Sequence, residues 1–473
     1  MAVASRCVLA LDQGGHASRA LLFDAAGRVL AKAERRIGTR RSGKLRVEHA
    51  ASAVLRSLQA AAEEAIGRLP PTTEIQAAAL ATQRSSIACW DRLDGRPLSP
   101  VLSWQDRRAV RKVAGLADHA RRVRRLTGLV LSPHYGASKL AWCLRELPTV
   151  KRAARDGRLA AGPLASYLAA GLSAGNPCVT DPVNGFRTQL MDLRTGDWSE
   201  ELCGLFGVPP EVLPQCVANR YGFGDLHVAG RAIPLTVVTG DQPAALFAQG
   251  TPQAGIAYVN IGTGAFVQCI SDRDSPDLLR SVLWRDSETT LHALEGTVNG
   301  AGAAVDAVAA RLGLAPAQVM RSLPVWLAAS GEPPLFLNGI GGLGAPYWRP
   351  EFRSRFVGTG APAQRMVAVV ESIAFLLHAN LRRMQGRGRP FHRLRVSGGL
   401  SQLDGLCQRL ADLSGLPVER PHLHEATALG LARLAGGIEH APPASASRFE
   451  PRRHPALHSR EQRWSRALQA ALV

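Results

Sequence analysis

Long apolar runs are missing from this sequence. Across its 473 residues none approaches the ~20 needed to cross a bilayer, so no membrane-spanning helix and no membrane partner are expected. An export signal is missing too: Met1 leads directly into strand-like sequence with no charged region, apolar stretch and cleavage site, which leaves the cytoplasm as the expected location. The eight cysteines are scattered, with no CxxC and no nearby histidine pair, so they predict reduced thiols rather than a disulfide framework or a zinc site. Aromatic residues are scarce at 5% and do not interleave with the arginine clusters at 121–125 and 382–389. A net charge of +19 therefore predicts salt-sensitive association with polyanions but no specific nucleic-acid partner, because stacking platforms are lacking.

What is present is ordinary for a globular chain: 46% hydrophobic and 20% charged residues, with length enough for two or three domains. A strand meander is expected over 7–11, 20–23 and 29–33, then a helix over 50–68 from apolar residues recurring at helical spacing. Further strands are expected at 75–81, 86–90 and 101–104, and helices at 106–125, 138–147, 162–174 and 199–206. A second strand-turn-strand unit at 256–270 echoes the first, and helices are expected at 301–312, 363–384, 404–413 and 424–434. A Pro- and Ser-rich break at 441–447 precedes a peripheral tail with a short helix at 461–472. Strands alternating with helices predict an α/β fold with mixed sheets.

Chemistry is expected where strands end in glycine. The β-branched run 235–239 hands Gly240, Asp241 and Gln242 to a helix start. Asp241 reads there either as a helix N-cap or as a base held rigidly enough to act on a bound hydroxyl. The turns Asp12-Gln13-Gly14, Gly262-Thr263-Gly264 and Gly398-Gly399 suit either tight hairpins or phosphate, which needs backbone N–H groups within reach and no bulky side chain.

Several strings, in order, resemble the FGGY carbohydrate kinases. They are Leu11 to Gly14 with Ser18-Arg19-Ala20, Thr82-Gln83-Arg84, Ser103-Trp104-Gln105-Asp106-Arg107-Arg108, Thr180-Asp181 with Asn184 and Arg187-Thr188, Gly240-Asp241-Gln242, Gly262-Thr263-Gly264, and Gly342 to Trp348. The resemblance implies two actin-like ATPase (ribonuclease H-like) domains with a cleft between them, expected at 1–243 and 244–440, with 441–473 as a tail. It implies transfer of the γ-phosphoryl of ATP to a hydroxyl of a small polyol or sugar, with Mg²⁺. By position, Asp241 matches the general base, and Asp12 with Asp241 the carboxylates near the metal. Gly14, Ser18 and Arg19 fall in the first phosphate turn, Gly262, Thr263 and Gly264 in the second, and Gly302, Gly398 and Gly399 in nucleotide-contacting turns. Arg84, Ser85, Trp104, His134, Gln242 and Phe266 match the acceptor pocket. FGGY kinases are often homodimers or homotetramers, and the sequence does not choose between these.

The chain also departs from the family pattern. Ser85 follows Arg84 where an Arg-Glu pair is usual, His134 lies near a usual pocket tyrosine, and Gly15-His16-Ala17 replaces hydroxyl residues in the first turn. The first two changes predict an acceptor larger than glycerol, a polyol or ketose. The third keeps a second reading open, a catalytically weak or inactive regulatory protein that binds sugar or nucleotide. A basic nucleic-acid-associated protein is the third, resting on charge alone.

Overall fold

A computed structural model describes residues 6–329, 331–386, 390–423, 425–438 and 445–472. The chain forms two compact units. The first comprises 1–252, 281–291 and 424–443; the second comprises 253–280, 292–423 and 444–473.

In the first unit, strand Arg6–Gln13 is buried along nearly its whole length, as a strand covered on both faces must be. It pairs antiparallel with Ala17–Asp24, which pairs antiparallel with Val29–Arg36. On its other side run two parallel strands, Glu74–Thr82 and then Arg231–Gly240, and the edge strand Asp225–Val228 completes six. Helix Ala51–Gly67 covers this sheet with a stripe that includes Val54, Leu58, Ala61, Ala65 and Ile66. Alanines at that interface let helix and sheet approach closely. A separate five-stranded sheet holds Ile87–Asp91 and Val101–Leu102.

The second unit repeats the plan. Strand Ile256–Ile261 pairs antiparallel with Ala265–Ile270, which pairs antiparallel with Thr290–Val298. Parallel strands Arg393–Ser397 and Val418–Pro421 extend the other side. Helix Pro362–Gln385 supplies much of the core, from Met366 to Met384.

Three expectations need correction. The segment 106–125 is not one helix but Val110–Ala114, a 3₁₀ turn Ala117–His119 and Ala120–Thr127. Asp106 is spent on a buried turn, and Gly115 ends the first short helix. The stretch expected as a helix from 162 begins as strand Leu159–Pro163, with the helix Leu164–Leu172 starting after the proline. Pro163 lacks the N–H that a helix interior would use. The carboxy-terminal segment is not peripheral: helix Pro455–Leu472 buries Leu457, Trp464 and Leu468 in the second core. Trp464 Nε1 donates to Phe336 O at 2.9 Å, and Arg460 forks onto Glu371 at 2.8 and 2.6 Å. Arg387, Gly388 and Arg389, His424, residues 439–440, and residues 441–444 of the expected break lie outside the described residues.

Candidate active site

Register places the first constellation. Asp12 sits opposite Ala81, and Ala81 opposite Thr239, so Asp12 and the Gly240-Asp241 step stand at the carboxyl ends of parallel strands with one strand between them. Such strand ends are where open α/β sheets present their ligand sites. Asp12 is 6% exposed. Burial first, then the Asp241 carboxylate, pushes its pKa up to about 7 against the pull of Arg19, and Glu425 adds to the rise. Arg19 Nη1 lies 3.6 Å from Asp12 Oδ2, and its Nε is held by Glu34 at 2.9 Å.

Asp241 is the first residue of helix Asp241–Leu246, with Gly240 as the N-cap, so the capping reading is displaced by one position. Its Oδ1 accepts the Gln242 N–H at 2.7 Å. Burial raises its pKa, while the Arg84 guanidinium, the Gln242 N–H and Arg187 hold it down. The absence of a side chain at Gly240 makes room for Arg84: a Cβ there would lie 2.6 Å from Arg84 Cγ and Cδ. Arg84 then reaches Gln242, donating from Nη2 to its Oε1. Helix Ala426–Leu434 packs tightly behind, since a Cβ on Gly430 would fall 1.8 Å from Ala244 O.

The remaining acceptor-pocket candidates of this unit meet at neighbouring turns. Ser85 has φ +64°, a left-handed backbone that serine adopts at a cost. Trp104 is 41% exposed, so it is not a core aromatic; its N–H donates to Ser86 Oγ at 3.0 Å. His134 Nδ1 lies 3.2 Å from Trp104 O, and burial lowers its pKa, favouring neutral imidazole. Behind Trp104, Asp106 is fully buried; its Oδ2 accepts the Val47 N–H at 2.7 Å and it holds Arg108, which stacks 4.4 Å from the Trp142 ring centroid.

Ser18 is not with these groups. It is fully buried, and its hydroxyl donates to Gln13 Oε1 at 2.7 Å and meets Ser57 Oγ at 2.6 Å, so it presents nothing to a ligand. Gly14 N–H closes the first turn onto Ala17 O at 3.0 Å, and His16 is exposed.

The second constellation is neutral and lies within the other unit. Gly262 N–H donates to Gly264 O at 2.8 Å, leaving Thr263 exposed at the tip. Gly302 N–H donates to Gly262 O at 2.9 Å, and a Cβ on Gly302 would lie the same distance from that oxygen. Gly398, at φ +92°, would bring a Cβ within 2.6 Å of Ile261 O, and exposed Gly399 comes next in the chain. Three glycine turns thus converge on the end of strand Ile256–Ile261. Phe266 belongs to this unit, half-buried opposite Asn260 and Thr297.

Sequence reasoning gives no role to three groups that shape the first site. Gln83, 3% exposed, has no hydrogen-bond partner for either amide atom among the described residues, and a Cβ on Gly15 would stand 3.3 Å from its Oε1. Asp181, its pKa raised by burial to about 6, accepts from Asn184 and Asn219, and Asn219 also donates to Val238 O at 2.8 Å in the strand that delivers Asp241. Lys139 is fully buried, its pKa lowered by burial to about 7. Its signal in the sequence is a lysine that shares a helix face with Gly136 and Cys143, positions i−3 and i+4, both buried.

Residues 7–248 match the N-terminal domain of the FGGY family of carbohydrate kinases and residues 257–437 its C-terminal domain. A glycerol kinase of Geobacter sp. (strain M21) is 36% identical over 444 residues, covering 91% of this chain and 89% of its own. That of Alkalilimnicola ehrlichii is 36% identical with 98% of each chain covered. Among solved structures, Plasmodium falciparum glycerol kinase with ADP superposes with a TM-score of 0.91 at 23% identity over 99% of both chains. Xylulose kinase from Rhodospirillum rubrum does so with 0.86 at 19% identity, also over 99% of both. The chain belongs to the FGGY family of carbohydrate kinases, phosphotransferases with an alcohol group as acceptor. Among the described residues no helix is long and apolar enough to cross a membrane.

Proposed function

We propose that this kinase transfers the γ-phosphoryl of ATP to a terminal hydroxyl of a polyol or ketose larger than glycerol. The observation that carries the reading is the pairing of Asp12 and Asp241 at the ends of parallel strands, where burial raises the pKa of each carboxylate and Asp241 raises that of Asp12 further. Phosphoryl transfer asks a protein chiefly to position reactants and offset charge. In this reading Asp241 accepts the proton of the attacking hydroxyl, oriented by the Gln242 N–H, with burial raising its pKa and so its basicity while Arg84 and Arg187 limit that rise.

Mg²⁺ is the metal the family implies, and the residues fit it. Among the described residues no cluster of three or more His, Cys, Asp or Glu could hold a metal ion, whereas Mg²⁺ characteristically takes one or two carboxylates and completes its shell with phosphate oxygens and water. Asp12 and Asp241 would supply those carboxylates. When bound, such a cation offsets charge on the transferring phosphoryl group. Arg19 would complement it; Thr263, Gly264, Gly398 and Gly399 would meet the nucleotide through backbone N–H groups and one hydroxyl, and Gly302, whose N–H is taken by Gly262 O, through its lack of a side chain.

Arg84, Gln242, Trp104, Ser85 and His134 would recognise the acceptor. The choice of a larger acceptor rests on Ser85 and His134: a short neutral hydroxyl in place of a carboxylate leaves space, and a neutral imidazole offers different hydrogen bonding. The relatives named as glycerol kinases make glycerol the rival acceptor. Mg²⁺-dependent ADP formation across glycerol, erythritol, ribitol, xylitol, ribulose, xylulose and sedoheptulose tests this, with Asp241→Asn as control. A selective response to a longer acceptor, reduced roughly 10²- to 10⁴-fold in the control, is expected. Glycerol preferred with a low KM would overturn the acceptor choice, and silence from a folded, ATP-binding protein would favour the regulatory reading.

A further inference from the structure

We propose that Lys139 is a positioning residue that sets the shape of the acceptor pocket, its ammonium group gathering the backbone carbonyls of Ser85, Ser103 and His134 onto one point; this rests on the acceptor pocket proposed above. Lys139 projects from helix Gly136–Glu146, and Nζ donates to Ser103 O at 2.8 Å, His134 O at 2.7 Å and Ser85 O at 3.0 Å. An ammonium has three hydrogens, and here each has its own acceptor. The three carbonyls come from three separate segments, and each belongs to or directly precedes a pocket residue: Ser85 beside Arg84, Ser103 before Trp104, and His134 itself.

Stability does not explain a charge in this place. Burying an ammonium is costly, and an apolar side chain of similar volume commonly serves a core as well or better. What an apolar side chain cannot do is hold three carbonyl oxygens, whose negative ends repel, around a common centre. The surrounding geometry has the marks of being held. Ser85 keeps its left-handed backbone while its carbonyl is one of the three acceptors, and such strain persists only where neighbours over-determine it. Trp104, 41% exposed, is anchored through its main chain: N–H to Ser86 Oγ, and O to His134 Nδ1. The ring therefore goes where the Ser103 peptide goes, and Lys139 fixes that peptide to the His134 and Ser85 segments.

Lys139→Met, which keeps length and removes all donors, tests the role, and Lys139→Gln, which can still donate to two carbonyls, stands beside it. Hydrogen–deuterium exchange in the full-length protein is expected to rise together in segments 83–87, 102–106 and 131–136 of the Met variant, with the sheet strands unchanged. Displacement of a pocket by about 1 Å can cost 10²-fold, so the acceptor KM is expected to rise by roughly that factor and discrimination among acceptors to flatten. The KM for ATP should stay within about twofold of wild type, and the Gln variant should recover part of the loss; if the Met variant fails to fold, the Gln variant carries the comparison. Unchanged exchange in the three segments, or a fall in kcat with acceptor KM and selectivity intact, would overturn the proposal. Should the wild type phosphorylate no acceptor at all, the functional reading fails separately, and exchange alone decides what Lys139 holds.

Discussion

In the first unit Asp12 and Gln13 end the opening strand, and the hairpin turns through Gly14, Gly15 and His16 rather than through Asp12 and Gln13; in the second, the corresponding hairpin turns through Gly262, Thr263 and Gly264. Each hairpin is the centre of the same sheet plan, an antiparallel meander on one side and two parallel strands on the other. At the ends of the parallel strands the two part company. The first places Asp12, Arg84 and Asp241 there, and burial raises the pKa of both carboxylates, with Asp241 adding to the rise at Asp12 and Arg84 opposing it at Asp241. The second places Gly398 and Gly399 beside Gly302, positions defined by the side chains they lack. One scaffold therefore presents titratable side chains at its strand ends and the other closely approached backbone. The first should be sensitive to charge and the second to bulk.

The two sheets also differ in what covers them, and the largest effect is expected there. The second core includes the carboxy-terminal helix, with Trp464 1% exposed against Phe375 at a ring separation of 5.4 Å. Trp464→Ala should cost about 3–5 kcal/mol, measured by denaturant unfolding, and ATP affinity should fall with it. A variant as stable as wild type would mean that the helix is dispensable to that core.

Charge in the first unit comes next. Asp12→Asn removes one of two facing carboxylates, so turnover should fall by roughly 100-fold or more while the melting temperature in metal-free buffer rises, because like charges no longer repel. A melting temperature that falls would show that Asp12 is held for stability rather than against it. The matching change in the second unit is one of volume: Gly398→Ala meets both a positive φ and the Ile261 carbonyl, and should cost about 1–3 kcal/mol and raise the KM for ATP more than that for the acceptor. Equal effects on both would erase the division of labour between the two sheets.

Legibility in the sequence divides along the same line. Asp12, Asp241 and the glycine turns can be read because strand-to-turn chemistry is local: a β-branched run, a glycine, a carboxylate. Both strand-turn-strand units, and the likeness between them, are visible for the same reason. What escapes depends on distant partners. No local pattern says that Gly240 admits Arg84, that Ser18 turns inward to Gln13 and Ser57, or that Asp106 is consumed by Val47 and Arg108. The carboxy-terminal helix reads as peripheral because a Pro- and Ser-rich break precedes it, whereas Arg460 is buried against Glu371, a partner 89 residues away.

The smallest effect concerns a segment that crosses the division. Residues 281–291 lie late in the sequence but belong to the first unit, where Asn219 and Arg285 exchange main-chain and side-chain hydrogen bonds at 2.9 Å. Asp286 closes the end of that segment. Its carboxylate accepts from Trp284 Nε1 at 2.8 Å, Thr289 N at 2.7 Å and Glu288 N at 3.0 Å, and these bonds, the indole's foremost, lower its pKa from 3.8 to about 2. Because the folded value lies below the unfolded one, the unfolded chain binds the proton first as pH falls. The contribution to stability is complete above the unfolded value and fades as pH drops from about 4 towards about 2. Asp286→Asn should therefore be slightly less stable than wild type near neutrality, with the gap closing in acid, as followed by thermal melts and by Trp284 fluorescence beside Phe247. A gap that stays constant with pH would assign the effect to lost hydrogen-bond geometry instead of charge, and would leave this segment's place in the first unit resting on Asn219 and Arg285.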